Sequence, residues 1–294
     1  MKYLTLLGLS LLLLGLSAGG LQAASLLAPD KLAIGQPAVI TIEVQQVALP
    51  LLAEFQERNF TLYSLPNGQG YTGMIGADLK TEPGEYILAI KGQNGLLIDH
   101  KAIQVVDHDY GTRNITVEEK FVEFDDATLA RIKEENQRQA AVYTTYTLER
   151  HWQGAFIKPL NSVVVGKFGR KSIINGQPRS PHGGVDLRGA VGTPIKAPAD
   201  GRVALTMDSY FSGKLVLIDH GQGLVSAYRH LSKISVQEGQ MLRQGETLGL
   251  VGATGRVTGP HLHFDIHLQN ATIDPLAFIE LSKNIAKNLQ EKSK

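Results

Sequence analysis

The sequence of 294 residues contains no cysteine. Disulfide bonds, thiolate metal ligands and lipidation at an N-terminal cysteine are therefore excluded. The sequence also lacks an apolar run of the roughly twenty residues that a membrane-spanning helix needs, since the run from Leu4 to Leu16 is shorter. Its charges nearly balance, with 29 Lys and Arg against 28 Asp and Glu. A nearly neutral chain lacks the excess of basic residues that is typical of nucleic-acid-binding proteins, so no nucleic-acid partner is expected.

Residues 1–23 have the pattern of a secretory signal peptide. Lys2 precedes the apolar run, and small residues follow it as far as Ala23. We expect cleavage after Ala23 and a periplasmic or secreted mature protein. About 270 residues then remain, and a chain of this length favours two domains, each with its own core.

Residues 24–115 are predicted to form a β domain. Apolar and polar residues alternate at 38–44 and again at 86–90, as they do in half-buried strands. Gly and Pro punctuate the segment, and Asn94-Gly95 separates two strand-like runs, which is a hairpin signal. We predict a β-sandwich of the immunoglobulin type.

Residues 116–152 are predicted to connect two domains through a helix. Asp125 and Asp126 can cap its start, and Leu129 with Ile132 gives a narrow apolar stripe. A solvated connecting helix is the simpler interpretation. The alternative is a mobile connector that lies over the functional groove and restrains it.

Residues 153–280 are predicted to form a compact antiparallel sheet, followed by a C-terminal tail at 281–294, of which residues 286–294 are expected to be charged and frayed. Glycines repeatedly interrupt short apolar runs, as tight turns between strands require. No long helix is expected in this part of the chain. The predicted fold is mainly β overall: an N-terminal β-sandwich, a connecting helix and a C-terminal antiparallel sheet domain.

A divided set of metal-ligand residues stands out in the last third of the sequence. His182 and Asp186 are four residues apart, and His261 with His263 follows about seventy-five residues later. Residues two or four apart in an extended strand point to the same side. His182, Asp186 and one histidine of the later pair could therefore hold one zinc ion and leave a position for water.

Histidines are concentrated around this motif. Six of the nine lie between residues 182 and 267. The segment 261–268 alternates fully, with His261, His263, Asp265 and His267 on one side and apolar residues on the other. We expect one side to carry chemistry and the other to face the core. Asp265 and His267 could support the ligands, as metal sites generally require.

Three blocks of sequence carry a family resemblance. HGGVDLRGAVGTPIKAPADGRV, YRHLS and VGATGRVTGPHLHF occur in the order found in the lysostaphin-type zinc metallopeptidases, which include murein endopeptidases. The resemblance covers roughly residues 163–279. It implies a zinc metallopeptidase domain, and the weaker likeness of the PGEYIL region implies a domain of the kind that precedes some bacterial cell-wall peptidases.

The resemblance also implies roles for five residues. His182, Asp186 and His263 would be the zinc ligands, and His230 and His261 the two catalytic histidines that do not bind zinc. It implies a hydrolase that cleaves the peptide cross-links of peptidoglycan, with the bond between D-alanine and diaminopimelate favoured. From the chemistry of imidazole we assign the general base to His261, with His230 assisting. The second histidine, partly protonated, could instead stabilise the oxyanion, and the sequence does not separate these two roles.

Two alternatives to an enzyme can be weighed. Some members of the family have lost zinc ligands and activate other cell-wall enzymes, so a catalytically silent regulator or amidase activator would use the same groove. The complete ligand set speaks against this. The segments PIKAPADGRV and VQEGQMLRQGETLGLVG resemble hairpins of biotinyl and lipoyl carriers, but a carrier lysine at a hairpin tip is missing.

Overall fold

The computed structural model describes residues 24–44, 50–65, 67–115, 124–174 and 176–291. The predicted signal peptide at 1–23 and the first eight residues of the predicted connector fall outside these ranges. Within them, no helix has the length and apolar character needed to cross a bilayer.

Two sheets form the N-terminal part of the chain. One has the order β1-β3-β7-β6, and the other has the order β2-β9-β8-β4-β5. The strands are β1 (Ser25–Leu27), β2 (Lys31–Ala33), β3 (Pro37–Glu43), β4 (Leu51–Phe55), β5 (Arg58–Thr61), β6 (Tyr63–Ser64), β7 (Gly70–Gly76), β8 (Gly84–Gly92) and β9 (Leu97–Val106). The predicted strands at 38–44 and 86–90 coincide with β3 and β8.

The N-terminal core follows from alternation along these strands. In β4 the side chains of Leu51, Ala53 and Phe55 are buried while the intervening residues are partly exposed. Both sheets contribute to one core of buried side chains, as in a β-sandwich. The predicted hairpin is present, and Gly95 at its tip has a φ of 79°, a conformation that glycine adopts without a steric cost.

The predicted connecting helix is α1 (Asp126–Thr144), and Asp125 caps it by accepting a hydrogen bond of 2.7 Å from Thr128 N. The prediction of an apolar stripe at Leu129 and Ile132 of α1 is wrong. Leu129 is exposed, and the residues that α1 buries are polar, namely Glu135 and Gln139. The helix is therefore held on its neighbour by hydrogen bonds as well as by apolar contact.

The C-terminal part is built on one sheet of ten strands in which every pairing is antiparallel, as predicted. Its main path is β11-β14-β21-β18-β17-β16-β19. The strands are β11 (Val164–Gly166), β14 (Val185–Arg188), β15 (Pro194–Lys196), β16 (Gly201–Ser209), β17 (Gly213–Asp219), β18 (Leu224–Ile234), β19 (Met241–Leu242), β20 (Thr247–Val251), β21 (His261–Leu268) and β22 (Ala271–Ile273). The helix α1 covers one face of this sheet, packing Val142 and Tyr143 over buried side chains of β16, β17 and β18.

A small sheet joins the two parts of the chain. It consists of β10 (Thr112–Ile115), β12 (Lys171–Ile174) and β13 (Gln177–Arg179), and β10 runs parallel to β12. Next to it, the ring of Tyr110 packs edge-on against Phe168 at 5.2 Å. The end of the N-terminal domain thus contacts the turn at 167–170, to which the backbone of His182 is hydrogen-bonded.

Two predictions are wrong here: that residues 153–280 contain no long helix, and that the chain is frayed from residue 286, since it is helical as far as Glu291. Residues Pro275–Glu291 form the helix α2, in which Phe278, Ile279 and Ser282 are buried. Ser282 Oγ accepts a hydrogen bond of 2.9 Å from Phe156 N. Apolar residues of α2 therefore complete the core, which a solvated tail could not do.

Candidate metal centre

Two of the predicted ligands are set by strand pairing. Asp186 on β14 lies directly opposite His263 on β21, so the two side chains leave the sheet on the same side. His263 Nδ1 is 2.9 Å from Asp186 Oδ1. The alternation predicted for β21 is present, because Leu262, Phe264, Ile266 and Leu268 on the opposite face are fully buried.

The third ligand arrives from a loop. We expected an extended strand to align His182 with Asp186, and this is wrong, because β14 begins only at Val185. The backbone of His182 is instead paired with the chain upstream, accepting from Gly169 N at 2.8 Å and donating to Arg170 O at 3.1 Å. These bonds place His182 Nε2 3.1 Å from Asp186 Oδ1 and 3.0 Å from His263 Nδ1.

The three donor atoms suit a zinc ion. Among the described residues, His182, Asp186 and His263 form a set whose donor atoms lie close enough together to hold one metal ion. Zinc with ligands at about 2.0–2.1 Å in a tetrahedron has ligand atoms about 3.3 Å apart, close to the 2.9–3.1 Å between these donors. Two imidazoles and one carboxylate also match the ligand types of catalytic zinc sites. The three residues therefore fit a zinc ion.

Two glycines make room for the donors. A Cβ on Gly166 would lie 2.0 Å from Asp186 Oδ2, and a Cβ on Gly184 would lie 2.4 Å from Phe264 O and 2.8 Å from His263 Nε2. Any larger residue at either position would displace a ligand or separate β14 from β21. These glycines thus contribute to the geometry of the site.

His230 reaches the site through an irregularity in β18. The pairing of β18 with β17 shifts register around it, and its φ of 67° is left-handed, as in a β-bulge that redirects a side chain. Its backbone N donates to Ser212 O at 2.9 Å. Its Nδ1 lies 3.0 Å from Thr254 O, and because a carbonyl only accepts, Nδ1 carries the proton and Nε2 is left free.

His261 has the same arrangement of protons. Its Nδ1 donates to Gly259 O at 2.9 Å, which leaves Nε2 as an acceptor 3.6 Å from Asp186 Oδ1. The His261 ring lies 5.1 Å from the ring of His230, centroid to centroid. The structure thus brings all five predicted site residues together, with two histidines beside the three donors.

The charges of the site follow from burial and from close partners. Burial opposes ionisation of Asp186, but its hydrogen bonds to His182 and His263 hold its pKa below the ordinary value. Burial also disfavours charge on His263, yet the carboxylates of Asp186 and Asp265 raise its pKa in the metal-free protein. Burial, with the nearby His263, lowers the pKa of His230 to about 4, so His230 is neutral at pH 7.

Several residues around the site were not predicted from the sequence. Arg229 lies opposite His263 on β18 and pairs with Asp265. Gly166 lies opposite Asp186 on the neighbouring strand β11, and Thr254 contacts His230 from the loop between β20 and β21. His220 is fully buried and bonded to Asp200 O. A cavity of about 340 Å³ between the N-terminal sheet and α2 contains none of the five site residues.

Comparison with known proteins agrees with this site. Residues 180–275 match the model of Peptidase family M23. The peptidoglycan DD-endopeptidase ShyB of Vibrio cholerae is 36% identical over 109 residues, which are 37% of this chain and 26% of ShyB. The DD-carboxypeptidase/endopeptidase Mpg of Neisseria meningitidis is 40% identical over 96 residues, covering 33% of this chain and 22% of Mpg. The chain thus spans about a quarter of the length of these curated relatives.

One solved structure matches nearly the whole chain. It is the crystal structure of a protein from Pseudomonas aeruginosa assigned to peptidase M23, with 32% identity and a TM-score of 0.68. The match covers 85% of this chain and 95% of the Pseudomonas chain, so it extends over both parts of the fold. Together with the zinc donors and the two adjacent histidines, this match shows that the chain belongs to peptidase family M23.

Proposed function

We propose that the protein is a zinc metalloendopeptidase that hydrolyses peptide cross-links of peptidoglycan, at the bond between D-alanine and diaminopimelate. The observation that carries this proposal is the convergence of three zinc donors with two histidines whose Nε2 atoms are free to accept a proton. Relatives named peptidoglycan DD-endopeptidases support the substrate and the bond.

The zinc ion would be held by His182, Asp186 and His263. Zinc in such a site supplies a Lewis acid and a water whose pKa is lowered toward neutrality. The protein contributes the orientation of each donor: Lys167 O accepts the Nδ1 proton of His182 at 2.9 Å and leaves its Nε2 lone pair facing the other two donors.

His261 and His230 would move the proton. In hydrolysis the water oxygen bonds to the scissile carbonyl carbon, the C–N bond breaks, and the departing amine gains a proton. His261 Nε2 can accept the proton of the attacking water and return it to that amine. His230, held neutral with its own Nε2 unprotonated, is suited to accept a hydrogen bond or a proton in the same step.

The experiment is digestion of purified sacculi with the zinc-loaded protein, followed by mass analysis of the muropeptides. The controls are a chelated sample and the His261→Ala variant. The proposal predicts zinc-dependent conversion of cross-linked dimers to monomers, and no conversion in either control. Unchanged dimers with a fully zinc-loaded protein would contradict it and favour the catalytically silent regulator.

We also propose a periplasmic or secreted location. The support is the segment from Lys2 through the apolar run to Ala23, together with the cell-wall substrate proposed above. Cell fractionation and N-terminal sequencing of the mature protein test it. A mature N-terminus at Ala24 in the periplasmic or external fraction is expected, and an intact Met1 in the cytoplasmic fraction would contradict it.

A further inference from the structure

The metal ligand His263 has a second carboxylate on its far side. Asp265 is two residues further along β21 and shares the face of His263. Asp265 Oδ2 lies 3.3 Å from His263 Nε2, while His263 Nδ1 points to the other donors. A carboxylate in this position holds the proton on Nε2 and leaves Nδ1 free to bind a metal. With only 2% of its surface exposed, Asp265 has little access to water.

Arg229 is the partner that allows Asp265 to remain charged inside the protein. Its Nε donates to Asp265 Oδ2 at 2.8 Å, and Arg229 lies directly opposite His263 on the paired strand β18. A buried carboxylate without a partner is strongly destabilising, whereas a paired one with satisfied hydrogen bonds is not. The position of Asp265 against His263 therefore depends on where Arg229 is held.

The remaining donors of Arg229 bind the helix α1 and Ser212, whose Oγ accepts from Nη1 at 2.8 Å. Nη1 donates to Gln139 Oε1 at 2.6 Å, and Nη2 donates to Tyr143 Oη at 2.8 Å. Gln139 and Tyr143 are four residues apart, so both lie on one side of the helix. The ring of Tyr143 also stacks at 3.8 Å on His267, whose Nε2 is 3.1 Å from Asp265 Oδ1. The helix α1 is thus linked to Asp265 by two sets of contacts, one through Arg229 and one through His267.

We propose that Asp265 and Arg229 are positioning residues for the zinc ligand His263, and that α1 is a permanent support of the metal centre through Gln139 and Tyr143. A network of this kind fixes the ring of His263 before the metal arrives. In this arrangement the polar face of α1 is buried because it completes the site. The helix therefore supports the metal centre and does not act as a mobile cover of the groove. Deletion of the helix would weaken zinc binding.

The proposal rests on the zinc site of the proposed function, but not on the substrate. It is tested by competition titration of zinc against a chelator, alongside absorption spectroscopy of the cobalt-substituted protein. Failure to cleave peptidoglycan leaves both readouts intact, so the two proposals can fail separately. Thermal unfolding of the metal-free protein shows whether each variant is folded.

Three variants of the full protein are compared. Asp265→Asn keeps the shape of the side chain but removes its charge, and Tyr143→Phe removes only the hydroxyl and keeps the ring stacked on His267. Arg138→Ala is the matched control on the same helix, because the contact of Arg138 with the described part of the chain is an exposed ion pair of 3.8 Å with Glu238. Loss of a group that orients a ligand typically costs 10-fold to 100-fold in metal affinity.

We expect zinc affinity to fall about 10-fold to 100-fold in Asp265→Asn and to a smaller, measurable extent in Tyr143→Phe, with altered cobalt absorption bands in both. Arg138→Ala should match the unmodified protein. Unchanged zinc affinity and an unchanged cobalt spectrum in folded Asp265→Asn would overturn the proposal. Should that variant fail to fold, Tyr143→Phe decides in the same way. An equal loss in Arg138→Ala would also overturn it, because the effect would then be general destabilisation.

Discussion

Asp186 and His263 lie directly opposite each other on the antiparallel strands β14 and β21, with Oδ1 and Nδ1 2.9 Å apart. Paired residues of neighbouring strands project to the same side of a sheet, so the sheet itself brings these two ligands together. The loop that carries His182 supplies the third. A site built on paired strands is held more rigidly than one built on loops alone.

Close approach of backbone to the ligands requires glycine at position 184. A methyl group there would lie 2.4 Å from Phe264 O and 2.8 Å from His263 Nε2. We expect Gly184→Ala to lose about 1–3 kcal/mol of stability and most of its zinc. Gly183→Ala is the matched control, because its methyl group would meet only Thr272 Cγ2 at 3.6 Å. Metal analysis and urea unfolding of both variants test this, and equal zinc content in the two would refute it.

Removal of either neighbouring histidine should separate chemistry from metal binding. His230 and His261 each bond Nδ1 to a backbone carbonyl and lie beside the site, but neither is among the three donors. We expect His230→Ala and His261→Ala to retain zinc and to lose roughly 10²-fold to 10⁴-fold in kcat. Asp186→Ala should lose the metal itself. Loss of zinc from His230→Ala would mean that the division between ligands and proton-transfer groups is wrong.

The docking of the N-terminal domain should affect the zinc site through Tyr110. Its ring packs on Phe168, next to Lys167, whose carbonyl accepts the Nδ1 proton of His182. We expect Tyr110→Ala to cost roughly 2–3 kcal/mol of stability and to weaken zinc binding, because the loop loses its packing. Tyr110→Phe keeps the ring and should bind zinc almost normally. Equal zinc affinities of Tyr110→Ala and Tyr110→Phe in competition titrations would contradict this prediction.

His220 should make the fold sensitive to acid. It is fully buried, with Nδ1 donating to Asp200 O at 2.7 Å and Nε2 2.7 Å from Ser226 Oγ. Burial lowers its pKa to about 4, from 6.5 in the unfolded chain. His220 therefore binds a proton less readily in the folded state than in the unfolded state. The contribution of neutral His220 to the free energy of unfolding is fully present above pH 6.5 and is lost as the pH falls toward 4. The total loss is about 3 kcal/mol, at about 1.36 kcal/mol per unit of pKa difference.

The contribution of His220 can be isolated with a neutral replacement. His220→Gln should be less stable at pH 7.5, and its stability gap to the unmodified protein should narrow by about 2 kcal/mol at pH 5. Urea unfolding at the two pH values measures the gap. A gap of the same size at both would show that His220 does not carry this pH dependence.

Much of the fold could be predicted because its signals are local. The alternation of β21 and the Asp125 cap of α1 depend on neighbours in the sequence. The start of α2 is local as well, since Asp274 Oδ1 accepts from Leu276 N and proline occupies the first helical position, so this helix could have been predicted.

The remaining features depend on contacts between distant parts of the chain. Gln139 is buried and Tyr143 partly buried where they bind Arg229, some ninety residues later, and helical periodicity carries no sign of such a partner. The convergence of His182 on Asp186 likewise depends on backbone bonds to Gly169 and Arg170. Motif resemblance indicated which residues belong to the site, whereas the supports around them required the three-dimensional structure.

The most direct test is hydrolysis of a purified D-alanyl-diaminopimelyl cross-linked muropeptide dimer in water enriched with ¹⁸O, followed by mass spectrometry. We predict that the zinc-loaded protein releases two monomers and places one ¹⁸O in the newly formed D-alanine carboxylate, while His261→Ala with normal zinc content does so at least about 10²-fold more slowly. An intact dimer, or ¹⁸O at any other bond, would contradict the account.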